Sequence, residues 1–295
     1  MLFYGTGVAL ITPFKQDKTV DFETLGRIVN HCMDGNVNYF VVLGTTGESV
    51  TLNHKEKEQI IRYVVKQTKG KVPIVVGIGG NDTAEVIETI QQTDFSGIAG
   101  ILSVVPYYNK PVQAGIIAHF KAIAAASPVP VILYNIPGRT GINMTVETTL
   151  ELAQVDNIVG IKEASGILSQ MMKIIAAKPD DFAVISGDDV LTLPFIAAGG
   201  NGVISVAANA CPHEMSALVT DALTGNFSQA REHHYQLLPL FEAQMADGSP
   251  AGIKAALHIM GKAENVLRLP LVPVSAKTYG QIDAIVHKMS QKIGN

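Results

Sequence analysis

Lys162 is the residue of this sequence whose position most clearly indicates chemistry. It ends the apolar run 158–161 and is followed by the small and turn-forming residues 164–166, a pattern that predicts a buried strand delivering an amine to the rim of a sheet. Loss of hydration disfavours the charged form of an amine, and a neutral lysine attacks carbonyl carbons to form a Schiff base. Taken alone, the same residue could simply begin a solvated loop.

Polar residues also stand at the ends of several other apolar runs. Thr45 and Thr46 lie between glycines in a turn whose backbone N–H groups and hydroxyls could bind a carboxylate. Tyr108 and Tyr134 stand where a phenol can carry protons to and from a reacting centre. Arg139 offers a planar guanidinium that suits a carboxylate. Singly, such residues are more often structural, but together they describe an imine-forming site for an anionic keto acid.

Other kinds of chemistry find little support in the sequence. No cysteine or histidine spacing is typical of zinc, and neither a Walker loop nor a nucleophile elbow is present. Asp188 and Asp189 could suggest a metal, but we expect them in the first turn of a helix, where negative charge is favourable. The motifs therefore indicate no competing chemistry, and we expect no cofactor because a Schiff base on a lysine requires neither a metal nor an organic group.

The elements that position these residues are short apolar runs, which alternate with longer amphipathic segments along the chain. The predicted strands are 8–11, 39–43, 74–77, 100–104, 131–134, 158–161, 183–185 and 202–205. The predicted helices between them are 22–34, 54–67, 83–93, 112–126, 146–153, 168–177 and 191–198, and Asn53 with Glu56 forms a capping-box pattern before the second of these.

This alternation predicts an α/β fold of parallel strands joined by crossover helices. The runs are apolar on both faces, as strands covered by helices require. A doubly wound open sheet is the main alternative, but the first run is not followed by a Gly-rich nucleotide turn. The spacing of about 25–30 residues per unit predicts a closed (β/α)8 TIM barrel.

After about Pro212 the pattern becomes wholly helical, with helices predicted at 213–223, 228–245, 252–260 and 275–293. This is more helix than one closing barrel helix needs. We expect residues 1–225 to form the catalytic barrel and residues 226–295 to form a C-terminal helical subdomain.

The composition argues against several partners. The chain has 295 residues, a formal net charge of -4 and no dense Lys/Arg cluster, so we expect no binding to nucleic acid or to an anionic membrane. No apolar run approaches the length of about 20 residues that a membrane span needs, and no signal-peptide pattern is present. Cys32 and Cys211 are expected to be free thiols. We expect a soluble cytoplasmic protein.

Five sequence motifs bear a resemblance to a known family. They are GTTGES at 44–49, PYYNKP at 106–111, YNIPGRTG at 134–141, GIKEASG at 160–166 and GGNGVISV at 199–206. In these motifs the chain resembles the dihydrodipicolinate synthase branch of the pyruvate-dependent N-acetylneuraminate lyase and aldolase family. The resemblance runs essentially from end to end.

The resemblance implies four catalytic residues. Lys162 is similar to the Schiff-base lysine that captures pyruvate, and Tyr134 to the proton carrier at the imine. Thr45 matches the relay partner of this tyrosine. Tyr108 matches the third member of the relay, which in the family crosses a tight dimer interface into the neighbouring subunit.

The resemblance also implies the substrates and the residues that bind them. Thr46 would bind the carboxylate of pyruvate, and Arg139 the carboxylate of L-aspartate 4-semialdehyde. Gly187 and Ile204 would line the pocket with their backbone carbonyls. The product would be 4-hydroxy-tetrahydrodipicolinate, in the first committed step of lysine and diaminopimelate biosynthesis, and the assembly a homotetramer built as a dimer of dimers.

Two alternative functions remain open at this stage. N-acetylneuraminate lyase, or another sugar-acid aldolase, shares the barrel, the lysine and the tyrosine. Arg139 and the double threonine favour the synthase, because the lyase branch usually lacks the arginine and tends to carry Ser-Thr. A non-catalytic keto-acid-binding regulatory barrel is the other alternative, and the intact set of site residues argues against it.

Many relatives bind lysine as a feedback inhibitor in a cleft at the dimer interface. The matching positions here are Ser49, His54, Lys57, Asn81, Glu85 and Tyr107. Lys57 replaces a histidine typical of sensitive members, and Val50 replaces a smaller alanine. Because a second cation would repel the ammonium group of lysine, we predict weak or absent inhibition.

Overall fold

The apolar runs of the sequence form eight parallel strands that close into a barrel in chain order. The computed structural model describes residues 3–293. Its strands are β1 (Gly5–Ala9), β2 (Tyr39–Val42), β3 (Ile74–Gly77), β4 (Gly100–Val104), β5 (Val131–Asn135), β6 (Ile158–Glu163), β7 (Ala183–Ser186) and β8 (Gly202–Ser205). Strand β8 pairs back with β1. The predicted TIM barrel is thus confirmed.

Helices follow the strands around the barrel and continue beyond it. Residues 3–293 form α1 (Phe22–Asp34), α2 (His54–Thr68), α3 (Thr83–Gln92), α4 (Gln113–Ala126), α5 (Pro137–Thr140), α6 (Val146–Leu152), α7 (Leu168–Ala177), α8 (Thr192–Ala197), α9 (Pro212–Leu223), α10 (Phe227–Ala243), α11 (Ala251–Ile259) and α12 (Ala276–Ile293). The predicted capping box begins α2: the Glu56 N–H donates to Asn53 Oδ1, and the Asn53 N–H donates to Glu56 Oε2, both at 3.0 Å. The short helix α5 was not expected.

The first strand begins earlier than the sequence pattern predicts. We expected residues 8–11, whereas β1 spans Gly5–Ala9. The Ile11 N–H leaves the ladder and donates to the side-chain oxygen of Asn209 at 3.0 Å. The apolar run of the sequence therefore extends beyond the end of β1. At Ile11, the Asn209 side chain and not a neighbouring strand accepts the backbone hydrogen bond.

Successive residues of each strand alternate between two buried clusters. On β2, Phe40 and Val42 pack with residues of the surrounding helices, whereas Tyr39 and Val41 join a cluster drawn mainly from strands. Because side chains alternate between the faces of a strand, the second cluster fills the barrel interior.

The pairing of β5 with β6 contains an irregularity. Its register shifts so that Ile132 lies opposite Gly160, which leaves Val159 as an extra residue in β6. Beyond the shift, Tyr134 lies opposite Lys162. Tyr134 belongs to the interior cluster, and neighbours in register share a face, so Lys162 also points into the barrel.

The chain after the barrel is helical, as predicted. Helix α10 packs on α9 and on α12, and α11 packs on α12. The expected boundary between residues 225 and 226 falls in the loop between α9 and α10. That the chain divides into two structural units at this point stays a prediction. Among residues 3–293, no helix combines the length and the apolar character that a membrane crossing requires.

A glycine makes room for the aromatic residues at one end of the barrel. The rings of Phe3 and Tyr39 meet edge to face with centroids 5.7 Å apart, and both residues are at most 1% exposed. A methyl group on Gly7 would overlap the Tyr39 ring. The sequence therefore needs glycine here because the interior is already filled.

Replacing this glycine tests the packing. Gly7→Ala should lower the free energy of unfolding by about 1–3 kcal/mol, the usual effect of overpacking a filled core. Gly280→Ala, in α12 with open space around the new methyl, should raise it by up to about 1 kcal/mol. Urea unfolding of both variants at one protein concentration measures the two effects, and a Gly7→Ala protein as stable as the unmodified chain would contradict the packing described.

Candidate active site

Two reactive side chains lie side by side in the barrel interior. Lys162 Nζ lies 4.5 Å from the centroid of the Tyr134 ring. Lys162 is 5% exposed and Tyr134 is 6% exposed. Within residues 3–293, neither the amine nor the phenol hydroxyl forms a hydrogen bond or an ion pair with another protein group, so both polar atoms can bond to a substrate.

Gly187 leaves space for the lysine side chain. A Cβ atom at this position would lie 2.9 Å from Lys162 Cε and 2.6 Å from Ala164 Cβ. Any larger residue would displace the amine, which gives this predicted pocket residue a steric role. Ile204, the other predicted pocket residue, lies on β8 and belongs to the interior cluster that also contains Tyr134.

The two threonines stand in a short turn that directly follows β2. Thr45 and Thr46 begin a 3-10 turn that ends at Gly47. Thr46 is 5% exposed, whereas Thr45 is exposed. The Thr12 hydroxyl donates to the Gly47 carbonyl at 2.7 Å, which ties the turn to the segment after β1.

Arg139 lies on α5, just after the end of β5. Its side chain is exposed, and Nη2 donates to the carbonyl of Ser249 at 3.1 Å. One face of the guanidinium is thus anchored on the C-terminal helical region, and its remaining N–H groups are available to an anion.

Tyr108 does not complete the site of its own chain. It is 88% exposed and has a φ of 72°, a left-handed conformation that is uncommon for an aromatic residue. Within residues 3–293, no hydrogen bond joins Thr45, Tyr134 and Tyr108, so the structure does not form the predicted relay inside one chain. Its assignment to a neighbouring subunit stays a prediction.

A polar network covers the outer side of the strands that carry the lysine and the tyrosine. Glu163, fully buried, accepts from Asn135 Nδ2 at 2.9 Å, from the Ser165 N–H at 2.7 Å and from Gln170 Nε2 at 3.3 Å. Burial raises the pKa of Glu163, and these hydrogen bonds oppose that shift. The network joins the ends of β5 and β6 one residue beyond Tyr134 and Lys162.

The expectation for Asp188 and Asp189 is wrong, because both precede α8. Asp189 accepts from the N–H groups of Val206 and Ala207 at 3.1 and 2.9 Å, and from Gln244 Nε2 at 2.9 Å. Burial raises the pKa of Asp189. Its carboxyl therefore holds the backbone just after β8, and no cluster of metal-binding side chains occurs in the described part of the chain.

The six positions assigned to lysine binding come together elsewhere on the surface. A cavity of about 630 Å³ lies between α2 and α3. It is lined by, among others, Ser49, His54, Lys57, Asn81, Glu85 and Tyr107. The Asn81 side-chain amide donates to the Tyr107 carbonyl at 3.1 Å, which fixes one wall of the cavity.

Sequence reasoning missed a buried ion pair next to the threonine turn. Lys254 Nζ donates to Glu48 Oε1, and both side chains are fully buried. The sequence did contain one signal for it, because Lys254 stands alone among the apolar residues of α11. A lysine on a buried helix seldom lacks a partner of opposite charge, so a buried acidic partner could have been expected.

Comparisons with known proteins agree with this geometry. A model of the dihydrodipicolinate synthetase family matches residues 2–289. The 4-hydroxy-tetrahydrodipicolinate synthase of Parabacteroides distasonis is 52% identical over 289 residues, which are 98% of this chain and 97% of the relative.

Solved structures give the same result. The dihydrodipicolinate synthase of Thermotoga maritima superposes with a TM-score of 0.96 at 39% identity, covering 98% of this chain and 99% of that one. The enzyme of Cyanidioschyzon merolae, solved with lysine bound, superposes with a TM-score of 0.94 at 42% identity, with the same coverage. The chain therefore belongs to the dihydrodipicolinate synthetase family.

Proposed function

We propose that the chain is a lyase that joins pyruvate to L-aspartate 4-semialdehyde through a Schiff base on Lys162. The product is 4-hydroxy-tetrahydrodipicolinate. The observation that carries the proposal is the pair of Lys162 and Tyr134 in the barrel interior, 4.5 Å from nitrogen to ring centroid. A relative 52% identical over nearly the whole chain has the name of this enzyme, which supports the choice of substrates.

The reaction begins with attack of the neutral Lys162 amine on the ketone carbon of pyruvate. Loss of water gives an iminium, which withdraws electrons and allows a methyl proton to leave, so that an enamine forms. The enamine carbon attacks the aldehyde of the second substrate. The amine of that substrate then replaces Lys162 at the imine carbon, which closes the ring and frees the enzyme.

The other residues move protons and hold carboxylates. Tyr134 lies beside the amine and is placed to exchange protons with the imine and the enamine. Thr46 is placed to donate to the pyruvate carboxylate, and Arg139 to pair with the carboxylate of the semialdehyde. Because the iminium is itself the electron sink, the proposed reaction needs no metal or organic cofactor.

The proposal includes a homo-oligomer. Tyr108 extends from the surface with 88% exposure, and with Thr45 it would complete the proton relay only in the site of a neighbouring subunit. A dimer that exchanges this tyrosine, paired into a tetramer, is the assembly we propose. The cytoplasmic location also stays a prediction.

N-acetylneuraminate lyase is not favoured as the alternative. Arg139 follows β5 on α5, and the N–H groups that do not bond to Ser249 would pair with the carboxylate of the semialdehyde. The relative and both solved structures described above are synthases. A keto-acid-binding protein without catalysis would not form a covalent bond to Lys162, and trapping with borohydride tests this difference.

Trapping with borohydride tests the Schiff base. Incubation with pyruvate and borohydride should modify Lys162 and inactivate the enzyme, because reduction of the iminium makes the bond permanent. Lys162→Met should give no modified peptide by mass spectrometry. Modification of a different lysine would contradict the role of Lys162, and modification of none would support the keto-acid-binding alternative.

Steady-state assays test the second substrate. The chain should consume L-aspartate 4-semialdehyde with pyruvate and should not cleave N-acetylneuraminate. Arg139→Met should raise the KM for the semialdehyde about tenfold or more, since a hydrogen bond to a charged group contributes about 1.5–3 kcal/mol. The KM for pyruvate should change little. Equal changes in both KM values would contradict the role of Arg139.

We also propose that the cavity beside α2 is the counterpart of a lysine site, weakened in this chain. The Cyanidioschyzon merolae relative was solved with lysine bound, and the six matching positions here line one cavity. Lys57 adds a cation to that lining. The repulsion between its ammonium group and that of free lysine lowers affinity.

Inhibition assays test this weakening. Micromolar lysine should leave the unmodified enzyme active, and Lys57→His should lower the inhibitory concentration about tenfold or more, because like charges about 4 Å apart repel by about 1–4 kcal/mol. Lys66→His, on α2 but outside the cavity lining, is the matched control. Strong inhibition of the unmodified enzyme by micromolar lysine would show the prediction to be wrong.

A further inference from the structure

A buried ion pair connects the threonine turn to the C-terminal helical region. Glu48, which directly follows the turn, and Lys254, on α11, both have fully buried side chains. Lys254 Nζ donates to Glu48 Oε1 and to the carbonyl of Val266, the latter at 2.9 Å. Glu48 Oε2 accepts the Arg268 N–H at 3.0 Å. Both carboxylate oxygens are therefore held by residues from the C-terminal region.

An aromatic ring closes the surroundings of this pair. Lys254 Nζ lies 4.2 Å from the centroid of the Phe14 ring, and the Arg268 guanidinium carbon lies 4.5 Å from the same centroid. Phe14 is fully buried. Burial lowers the pKa of Lys254 to about 8, and the Glu48 carboxylate opposes that shift. Removing two charges from water is costly, so stability alone is a weak reason for this arrangement.

The backbone of Glu48 gives a second sign that its carboxylate matters. Its φ is 52° and its ψ is 36°, a left-handed conformation that glycine adopts with less strain. A glutamate keeps this strained backbone conformation only where contacts with the surrounding residues hold it there. Here the Glu48 N–H donates to the Thr45 carbonyl at 3.1 Å, so the residue that bears the carboxylate also closes the turn.

Arg268 holds the far end of the same segment. Its Nη1 donates to the Thr51 carbonyl at 2.8 Å, and its two terminal nitrogens bond to the carboxylate of Glu56 at 2.9 and 2.6 Å. The Thr51 hydroxyl donates to the Glu48 carbonyl at 3.0 Å. The segment from Thr45 to Thr51 is thus attached to the C-terminal region at two points.

We propose that Glu48 and Lys254 are positioning residues that fix the Thr45–Thr46 turn relative to Lys162 from the C-terminal region. Neither residue is expected to touch pyruvate. The inference rests on the proposed function, because the two threonines act on pyruvate only if Lys162 captures it. It assigns the helical region after the barrel a direct part in the geometry of the site.

A double variant separates positioning from stability. Glu48→Gln/Lys254→Met removes both charges and keeps similar side-chain volumes, so neither charge is left buried without a partner. The folded variant should still be trapped by pyruvate and borohydride at saturating pyruvate. The half-saturating pyruvate concentration should rise, and kcat should fall, by about tenfold or more, since a displacement of about 1 Å can slow a reaction by about a hundredfold.

The half-saturating concentration does not depend on how much of the protein is folded, so a purely structural pair would leave it unchanged. Lys121→Met/Glu151→Gln supplies a matched control: the same two substitutions in an ion pair between α4 and α6 whose side chains are about half exposed. This control should keep both values within about twofold of the unmodified enzyme.

The outcomes decide between the proposals. A folded double variant with unmodified half-saturation and kcat would overturn the positioning role. If the double variant does not fold by circular dichroism, Glu48→Asp, which keeps both charges and shortens only the side chain that links the turn to α11, decides by the same two values. Absence of trapping in the unmodified protein would instead refute the proposed Schiff base, and that result is obtained before any variant is measured.

Discussion

The site depends on one irregularity in the pairing of β5 with β6. Val159 is an extra residue in β6, and the shifted register places Lys162 opposite Tyr134. If β6 instead continued in regular pairing from Ile158 with Val159 retained, Ile161 would lie opposite Tyr134, because each one-residue shift of register turns the side chains to the other face of the sheet. The lysine would then face the helices, and no amine would stand beside the phenol. A local departure from regular pairing therefore creates the reactive pair.

At the ends of β5 and β6, the polar side chains on the two faces of the barrel wall differ in their hydrogen bonding. On the outer face, Glu163 is fully buried and accepts three hydrogen bonds from side chains and backbone. On the inner face, the side chains of Lys162 and Tyr134 form none within residues 3–293. A hydrogen-bond network whose polar groups all have partners is rigid. The network around Glu163 can therefore hold the ends of β5 and β6 in place, while the Lys162 amine and the Tyr134 hydroxyl stay free to bond to substrate.

The sequence was sufficient for the fold, because short runs apolar on both faces and separated by amphipathic segments have few other solutions. It was sufficient for the residues that end those runs, including Lys162 and Tyr134. It could not show the extra residue Val159, since a continuous apolar run has no period to interrupt. Glu48 and Lys254 are 206 positions apart, and no local pattern joins such a pair. The four-residue helix α5 is too short for a periodic signal.

The turn after β2 joins the candidate active site to the candidate lysine cavity. Thr45 and Thr46 stand at its start, Ser49 lines the cavity, and the buried carboxylate of Glu48 lies between them. A ligand in the cavity can alter the other site only if it favours a different arrangement of this segment. Any such arrangement must keep the bonds of Glu48 to the C-terminal region or leave a buried charge without its partner, at a cost of several kcal/mol. The ion pair thus restricts movement of the segment from Thr45 to Thr51, through which the two sites could communicate. The restriction comes from the C-terminal region, because Lys254 and Arg268 belong to it.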